Sequence, residues 1–290
     1  MAYRFLLLFF LWISSASAEL CSVDAIGREI CLASPAERIV SLSPGATELV
    51  FSAGAGDRLL AVSAWSDYPE QARELPRVGD SNRLDLEAIV ALKPDLVVAW
   101  VDGNSRAQLD RLSDLGINVF WLSPREFQDI ANAVETLALL SGQQETGTAR
   151  AARFTDGIAT LKAEYRGAQP VRVFYQIWDQ PLMTVNREEL IGKAIELCGG
   201  VNVFGEQPRL VPRVSKEAVL EANPDAIVTS GRGESDREWL EHWKQFPGLK
   251  AVNLGNLFLE PPDLLARPTL RMLEGVRHLC QTLEQARARL

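Results

Sequence analysis

Glu87-Ala88-Ile89-Val90-Ala91-Leu92-Lys93-Pro94-Asp95-Leu96-Val97-Val98 and Glu217-Ala218-Val219-Leu220-Glu221-Ala222-Asn223-Pro224-Asp225-Ala226-Ile227-Val228 correspond at a constant offset of 130. In each stretch a helix-like apolar pattern runs into a proline, which cannot extend a helix. An aspartate and a run of aliphatic residues follow and read as a buried strand. Leu115-Gly116-Ile117-Asn118-Val119 and Pro247-Gly248-Leu249-Lys250-Ala251 extend the correspondence at an offset of 132. A solenoid needs at least about three such units, so two copies predict two similar lobes.

Outward from these stretches, strand-like and helix-like segments alternate, which predicts an α/β fold with parallel sheets. Residues 38–42, 59–63, 96–100 and 117–122 read as strands, with helices near 46–54, 85–92, 105–115 and 126–140. A second series follows Pro170: strand 171–177, helices 188–198 and 215–222, strand 226–230, helix 235–245, strand 250–254 and helix 268–287. Ser141 to Gly167 is polar, rich in Ala, Arg, Glu and Gln, and free of proline, so helix is expected there and not a loose linker. The expected organisation is a first lobe over 19–140, a connecting helix over 141–169 and a second lobe over 170–290. A helical connector would hold the lobes at a nearly fixed separation, so large hinge motions are not expected.

Residues 1–18 combine Arg4, the apolar run Phe5 to Ile13 and the small residues Ser14-Ser15-Ala16-Ser17-Ala18. That is the pattern of a secretory signal peptide, with cleavage expected after Ala18. The apolar run is shorter than the roughly 20 residues that a transmembrane helix needs. Cys21 raises a lipoprotein reading, but Leu20 stands where such a site takes a small residue. A net charge of −8 without any Lys/Arg block argues against nucleic acid as a partner. In an oxidising compartment, Cys21, Cys31, Cys198 and Cys280 are expected to form two disulfides, and spacing alone does not select the pairing. Cys21 and Cys31 flank the turn-like Asp24-Ala25-Ile26-Gly27-Arg28, which favours Cys21–Cys31 and leaves Cys198–Cys280. A structural zinc site would want closely paired ligands, and the four cysteines contain no CxxC.

No HExxH, GxSxG or Walker pattern occurs, and the two histidines, His242 and His278, fall in amphipathic helical segments. Gly54-Ala55-Gly56 follows a helix and reads as a helix stop, not as a dinucleotide loop. No catalytic residues and no metal site are assigned, and a binding role fits better than an enzymatic one. Ligands of open α/β sheets sit beyond the carboxyl ends of the strands. Those positions hold Ser43-Pro44-Gly45, Trp65 to Tyr68, Trp100 to Asn104 and Trp178 to Met183. Three tryptophans at strand ends suit a broad, partly apolar ligand, since aromatics give large contact area at low entropic cost. Trp121, Trp239 and Trp243 are expected in the core, where tryptophan is most often found.

Arg38-Ile39-Val40-Ser41-Leu42-Ser43-Pro44-Gly45-Ala46-Thr47-Glu48-Leu49, Trp65-Ser66-Asp67-Tyr68-Pro69 and Leu86 to Val97 resemble the cobalamin (vitamin B12)-binding proteins of bacterial ABC importers. Leu197-Cys198-Gly199-Gly200-Val201-Asn202-Val203-Phe204 and Val214-Ser215-Lys216-Glu217 carry the resemblance into the second half. The wider family of helical-backbone periplasmic binding proteins also includes ferric-siderophore and haem carriers. The resemblance implies two α/β lobes joined by one long helix, with cobalamin as transported ligand, no catalytic cofactor, and a monomeric carrier in the periplasm. It also implies ligand-binding roles for Pro44, Gly45, Trp65, Tyr68, Trp100, Trp178, Met183, Asp263 and Arg267. Glu87 and Glu217 would dock into arginine pockets on the importer's two membrane subunits, although a first-turn glutamate also gains about 0.3–1 kcal/mol from the helix dipole alone. The sequence departs from the pattern at Ser81, where a tryptophan is expected, and over Glu260 to Pro268. A siderophore carrier would need cations such as Arg106, Arg213 and Arg267 to converge; a haem carrier would need an axial ligand such as Tyr68 or Tyr175. An exported enzyme or a sensor domain using the same cleft is the reading from another class.

Overall fold

The computed structural model describes residues 19–231 and 234–290, and the expected signal peptide, 1–18, lies outside the described residues. A hairpin of β1 (Leu20–Val23) and β2 (Glu29–Leu32) opens the described chain. The first half continues with β3 (Ile39–Ser41), α1 (Pro44–Ser52), β4 (Leu59–Val62), α2 (Leu86–Ala91), β5 (Leu96–Trp100), α3 (Arg106–Asp114), β6 (Val119–Leu122) and α4 (Phe127–Leu140). One long helix, α5 (Gln144–Glu164), leads into the second half. That half contains β7 (Val171–Gln176), α6 (Leu190–Leu197), β8 (Gly200–Asn202), α7 (Lys216–Ala222), β9 (Ala226–Ser230), α8 (Glu234–Trp243), α9 (Lys250–Asn253), β10 (Leu257–Glu260) and α10 (Met272–Arg287). The two four-stranded sheets run β4-β3-β5-β6 and β10-β9-β7-β8, parallel throughout. Read by chain order within each half, both have the order 2-1-3-4, so the fold is α/β with two similar lobes joined by a helix.

The repeat reaches the hydrogen bonds. Asp85 caps α2 by accepting from the Ala88 amide at 2.9 Å, and Ser215 caps α7 through Ala218 at 3.1 Å. Both helices stop in a left-handed residue before proline, Lys93 (φ 46°) and Asn223 (φ 44°). The next aspartates accept from the amides that start the neighbouring strands, Asp95 from Arg38 at 3.0 Å and Asp225 from Arg172 at 2.9 Å. Those two arginines donate back to the carbonyls of Leu92 (2.6 Å) and Ala222 (2.8 Å), satisfying helix ends that lack intrahelical partners.

One segment differs from the expectation. Residues 250–254 form the short helix α9 and the turn after it, and the strand lies at Leu257–Glu260. The glycine equivalent to Gly116 (φ 81°) is Gly255 (φ 67°), not Gly248. Asn118 and Asn256 confirm the shift: each side-chain amide donates to the carbonyl of its Pro-Asp aspartate, Asp95 at 3.1 Å and Asp225 at 3.0 Å. The offset is therefore 139 at the glycine and 138 from the asparagine through the strand, the second copy having one residue fewer between the two.

One apolar cluster runs from Ile39 and Val98 through Phe154 and Ile158 of α5 to Val173 and Val276, so the halves share a core across the connector. Separate outer layers cover the far faces of the sheets, around Val97 and Trp121 in one half and Phe174 and Trp243 in the other. Tight contact fixes the connector: a Cβ at Gly147 would fall 2.2 Å from the Ala138 side chain of α4. Cys21–Cys31 crosses the opening hairpin, and Cys198–Cys280 ties the end of α6 to α10. No helix among the described residues is long and apolar enough to cross a membrane.

Candidate functional site

In the first sheet β3 connects to one side and β5 to the other, which leaves a crevice beyond their carboxyl ends. Asn104 bridges the two strands there, accepting from the Trp100 amide at 2.8 Å and donating to the Leu42 carbonyl at 2.9 Å. The Trp100 ring lies against the start of α1, where a Cβ on Gly45 would come within 3.3 Å of it. Ser43 caps this helix by accepting from Ala46 at 3.0 Å, and Pro44 occupies the first turn, where no amide donor is needed.

These residues form one wall of a cavity of about 390 Å³ between the lobes. From the first half come Ser43, Pro44, Gly45, Trp100, Asp102, Pro124 and Arg125. The second half supplies Glu188, Glu189 and Leu190 at the start of α6, and Ala266, Arg267 and Pro268 after β10. Both cations are already held by carboxylates. Arg125 contacts Asp102 at 2.6 Å, while Arg267 contacts Asp67 at 2.7 Å, Glu48 at 2.9 Å and Asp263 at 3.5 Å. Burial pushes the Glu189 carboxyl above its usual range, against the opposing effect of the Ile191 amide that it caps at 2.6 Å. The floor is thus rich in acceptors, and a broad apolar ligand edged with N–H donors suits it.

Of the expected ligand residues, Pro44, Gly45, Trp100 and Arg267 line this cavity, and three more are linked to it through Arg267 or Arg271. Arg267 lies 3.4 Å from the Trp65 carbonyl and pairs with Asp263, and the Arg271 guanidinium sits 3.7 Å over the Tyr68 ring. Trp65 is 73% exposed and has φ 65°, a left-handed conformation that L side chains adopt at a cost. Trp178 is exposed on the second lobe. Met183 is bridged to Trp178 and Arg213 and lines a separate cavity of about 590 Å³ with the segment from Gln207 to Arg213. Trp121 and Trp243 are buried, as the sequence suggested, but Trp239 is not a core residue. Trp239 is half-buried and meets the exposed Trp178 edge-on, with ring centroids 5.8 Å apart. Sequence reading also missed Arg125, Glu189, Glu48 and Arg271. Arg125 follows the end of β6, so extending the strand-end survey to the fourth strand would have reached it.

The cations that an anionic chelate would need do not converge. Arg106 pairs with Asp110 at 3.0 Å and stacks 5.5 Å from the Trp121 ring, and Arg213 lines the separate cavity. Tyr175 is fully buried, and burial pushes its phenol well above the usual tyrosine range. Glu87 and Glu217 are exposed in the first turns of α2 and α7. Hydrogen bonds from its own amide and from Ser215 hold Glu217 below the usual carboxylate range, so it is charged at neutral pH.

A two-lobed α/β molecule with a ligand-sized cleft at the strand ends is the architecture of a solute-binding protein. A family model described as periplasmic binding protein matches residues 39–264, and the chain belongs to that family. It is 36% identical over 254 residues to the vitamin B12-binding protein of Vibrio parahaemolyticus, covering 87% of this chain and 91% of that one. The vitamin B12-binding protein of Vibrio cholerae is 38% identical over 252 residues, with the same coverage of 87% and 91%. The crystal structure of the periplasmic vitamin B12 binding protein BtuF of Vibrio cholerae superposes with a TM-score of 0.79 at 38% identity, covering 87% of this chain and 98% of that one. The periplasmic heme-binding protein RhuT from Roseiflexus sp. RS-1 shares the fold, with a TM-score of 0.76 at 23% identity and coverage of 87% and 99%.

Proposed function

We propose that this protein is a periplasmic carrier that binds cobalamin or a related corrinoid in the inter-lobe cleft and delivers it to the membrane subunits of an ABC importer. The observation that carries the reading is the cleft itself: the Trp100 indole in one wall, carboxylate acceptors on the floor, and both lining arginines, Arg125 and Arg267, held by protein carboxylates. The amide side chains of a corrin supply the matching N–H donors. Haem propionates and anionic ferric siderophores would instead face carboxylates, a repulsive match that disfavours the alternative of the same fold. In this reading cobalamin is cargo, no bond of it is broken, and the carrier is not an enzyme. We divide the mature chain into a lobe over 19–140, a connector over 141–169 and a lobe over 170–290, after removal of the leader at Ala18.

Titrating the purified mature protein with cyanocobalamin, haemin and a ferric siderophore, followed by tryptophan fluorescence, tests the reading. The corrinoid is expected to quench at micromolar concentrations with little dependence on salt, because surface screening hardly touches apolar contacts. Quenching by the siderophore alone, weakened strongly by salt, would sink the corrinoid reading.

Glu87 and Glu217 occupy equivalent exposed positions 130 residues apart, which supports a paired docking role for them. Reversing both, Glu87→Lys with Glu217→Lys, is expected to leave cyanocobalamin affinity unchanged. Association with importer in detergent or nanodiscs is expected to weaken about 5- to 10-fold at low salt, chiefly through a slower on-rate. Equal association rates for the two proteins would assign these carboxylates to helix capping alone.

A further inference from the structure

Glu48 lies in α1 one turn beyond Gly45, so both project toward the same side of the helix. Its side chain is 2% exposed, and its two oxygens accept four hydrogen bonds. Oε1 accepts from Arg267 and Arg271, both at 2.9 Å, and Oε2 from Thr269 at 2.9 Å and Arg271 at 3.0 Å. All four donors come from the segment after β10, on the opposite lobe. The same two guanidiniums then reach the rim, Arg267 to Asp67 at 2.7 Å and Arg271 over Tyr68 at 3.7 Å. A second tie closes elsewhere between the halves, where Lys193 of α6 pairs with Glu126 and donates to the Arg125 carbonyl at 2.9 Å.

Buried ion clusters of this kind contribute little net stability beside well-packed apolar groups, and what they do supply is a fixed geometry. A bidentate guanidinium on a carboxylate fixes two planes against each other. We propose that Glu48 is a positioning residue for ligand capture. It clamps the 267–271 segment to α1, sets the width of the cleft before ligand arrives, and holds the Trp65–Tyr68 wall through the arginines it binds. This rests on the corrinoid reading of the cleft and extends it: a cleft already at its working width loses less freedom on binding.

Glu48→Gln keeps the size of the side chain and removes its charge. Two readouts apply: the dissociation rate of cyanocobalamin, and the distance distribution between nitroxides at Leu115→Cys and Val201→Cys, exposed positions on the two lobes, in ligand-free protein. The variant is expected to release the ligand about tenfold faster and to broaden the distance distribution. A loss of stability without a role in spacing would lower the thermal midpoint and leave the width as it was. An unchanged width in folded Glu48→Gln overturns the proposal, whatever the rate. If that variant does not fold, Arg271→Gln, which opens the same carboxylate edge from the less buried side, is read in the same two ways. Wild-type protein that fails to bind cyanocobalamin overturns the corrinoid reading instead, while the spin-label distances still decide the clamp.

Discussion

Trp65→Gly is expected to weaken cyanocobalamin binding by about thirtyfold or more, the effect of removing a central aromatic anchor, while the thermal midpoint does not fall. The indole is 73% exposed, so little apolar contact is lost from the folded protein. Its backbone stands at φ 65°, where a non-glycine residue costs roughly 1–2 kcal/mol. Glycine removes that strain and gives back about 0.5–1 kcal/mol in unfolded-state entropy. The two effects nearly cancel in stability, whereas nothing replaces the indole as a proposed ligand contact. Trp100→Ala is the contrast. That partly buried ring packs against the shared core and the start of α1 at Gly45, so its removal is expected to cost stability, toward the low end of about 3–5 kcal/mol, as well as affinity. Calorimetric unfolding beside ligand titration separates the two. A midpoint lowered as far in Trp65→Gly as in Trp100→Ala would make Trp65 a packing residue.

Removing the Cys198–Cys280 disulfide, as Cys198→Ala with Cys280→Ala, is expected to destabilise the protein by about 2–5 kcal/mol. The bond spans 82 residues, and loop-closure entropy for that length comes to about 4.5 kcal/mol. Both sulfurs are fully buried, and alanine leaves no unpaired polar atom behind. Cys21–Cys31 closes only 10 residues within a hairpin, so its removal is expected to cost less, about 2.7 kcal/mol by the same entropy. Denaturant unfolding of the two double variants checks the order. A larger loss at the hairpin would show that chain entropy does not govern either bond.

The repeated half was legible because its signals are local. The proline, the aspartate and the preceding helix cap act within a few residues, and Arg38 and Arg172 complete the same hydrogen bonds in both copies. The strand at Leu257–Glu260 was misplaced because Gly248 and Gly255 look alike in sequence, and only Gly255 takes the left-handed turn. Trp239 and Trp243 share a helix face by spacing. Trp243 packs under Phe174, but a turn earlier Trp239 meets the exposed Trp178. Spacing reports the face of a helix and not how far its end reaches past the sheet. The aromatic part of the site followed from the strand-end rule. The Glu48 cluster did not, because its partners lie 219 to 223 residues away and no periodicity links them.

Two halves of one strand order carry Glu87 and Glu217 as matched marks. On the docking proposed above, a carrier built this way meets a twofold-symmetric receptor in two poses related by half a turn. Either pose presents the same pair of carboxylates to the same pair of subunits. On that proposal, random arrival wastes no encounters on a back-to-front molecule.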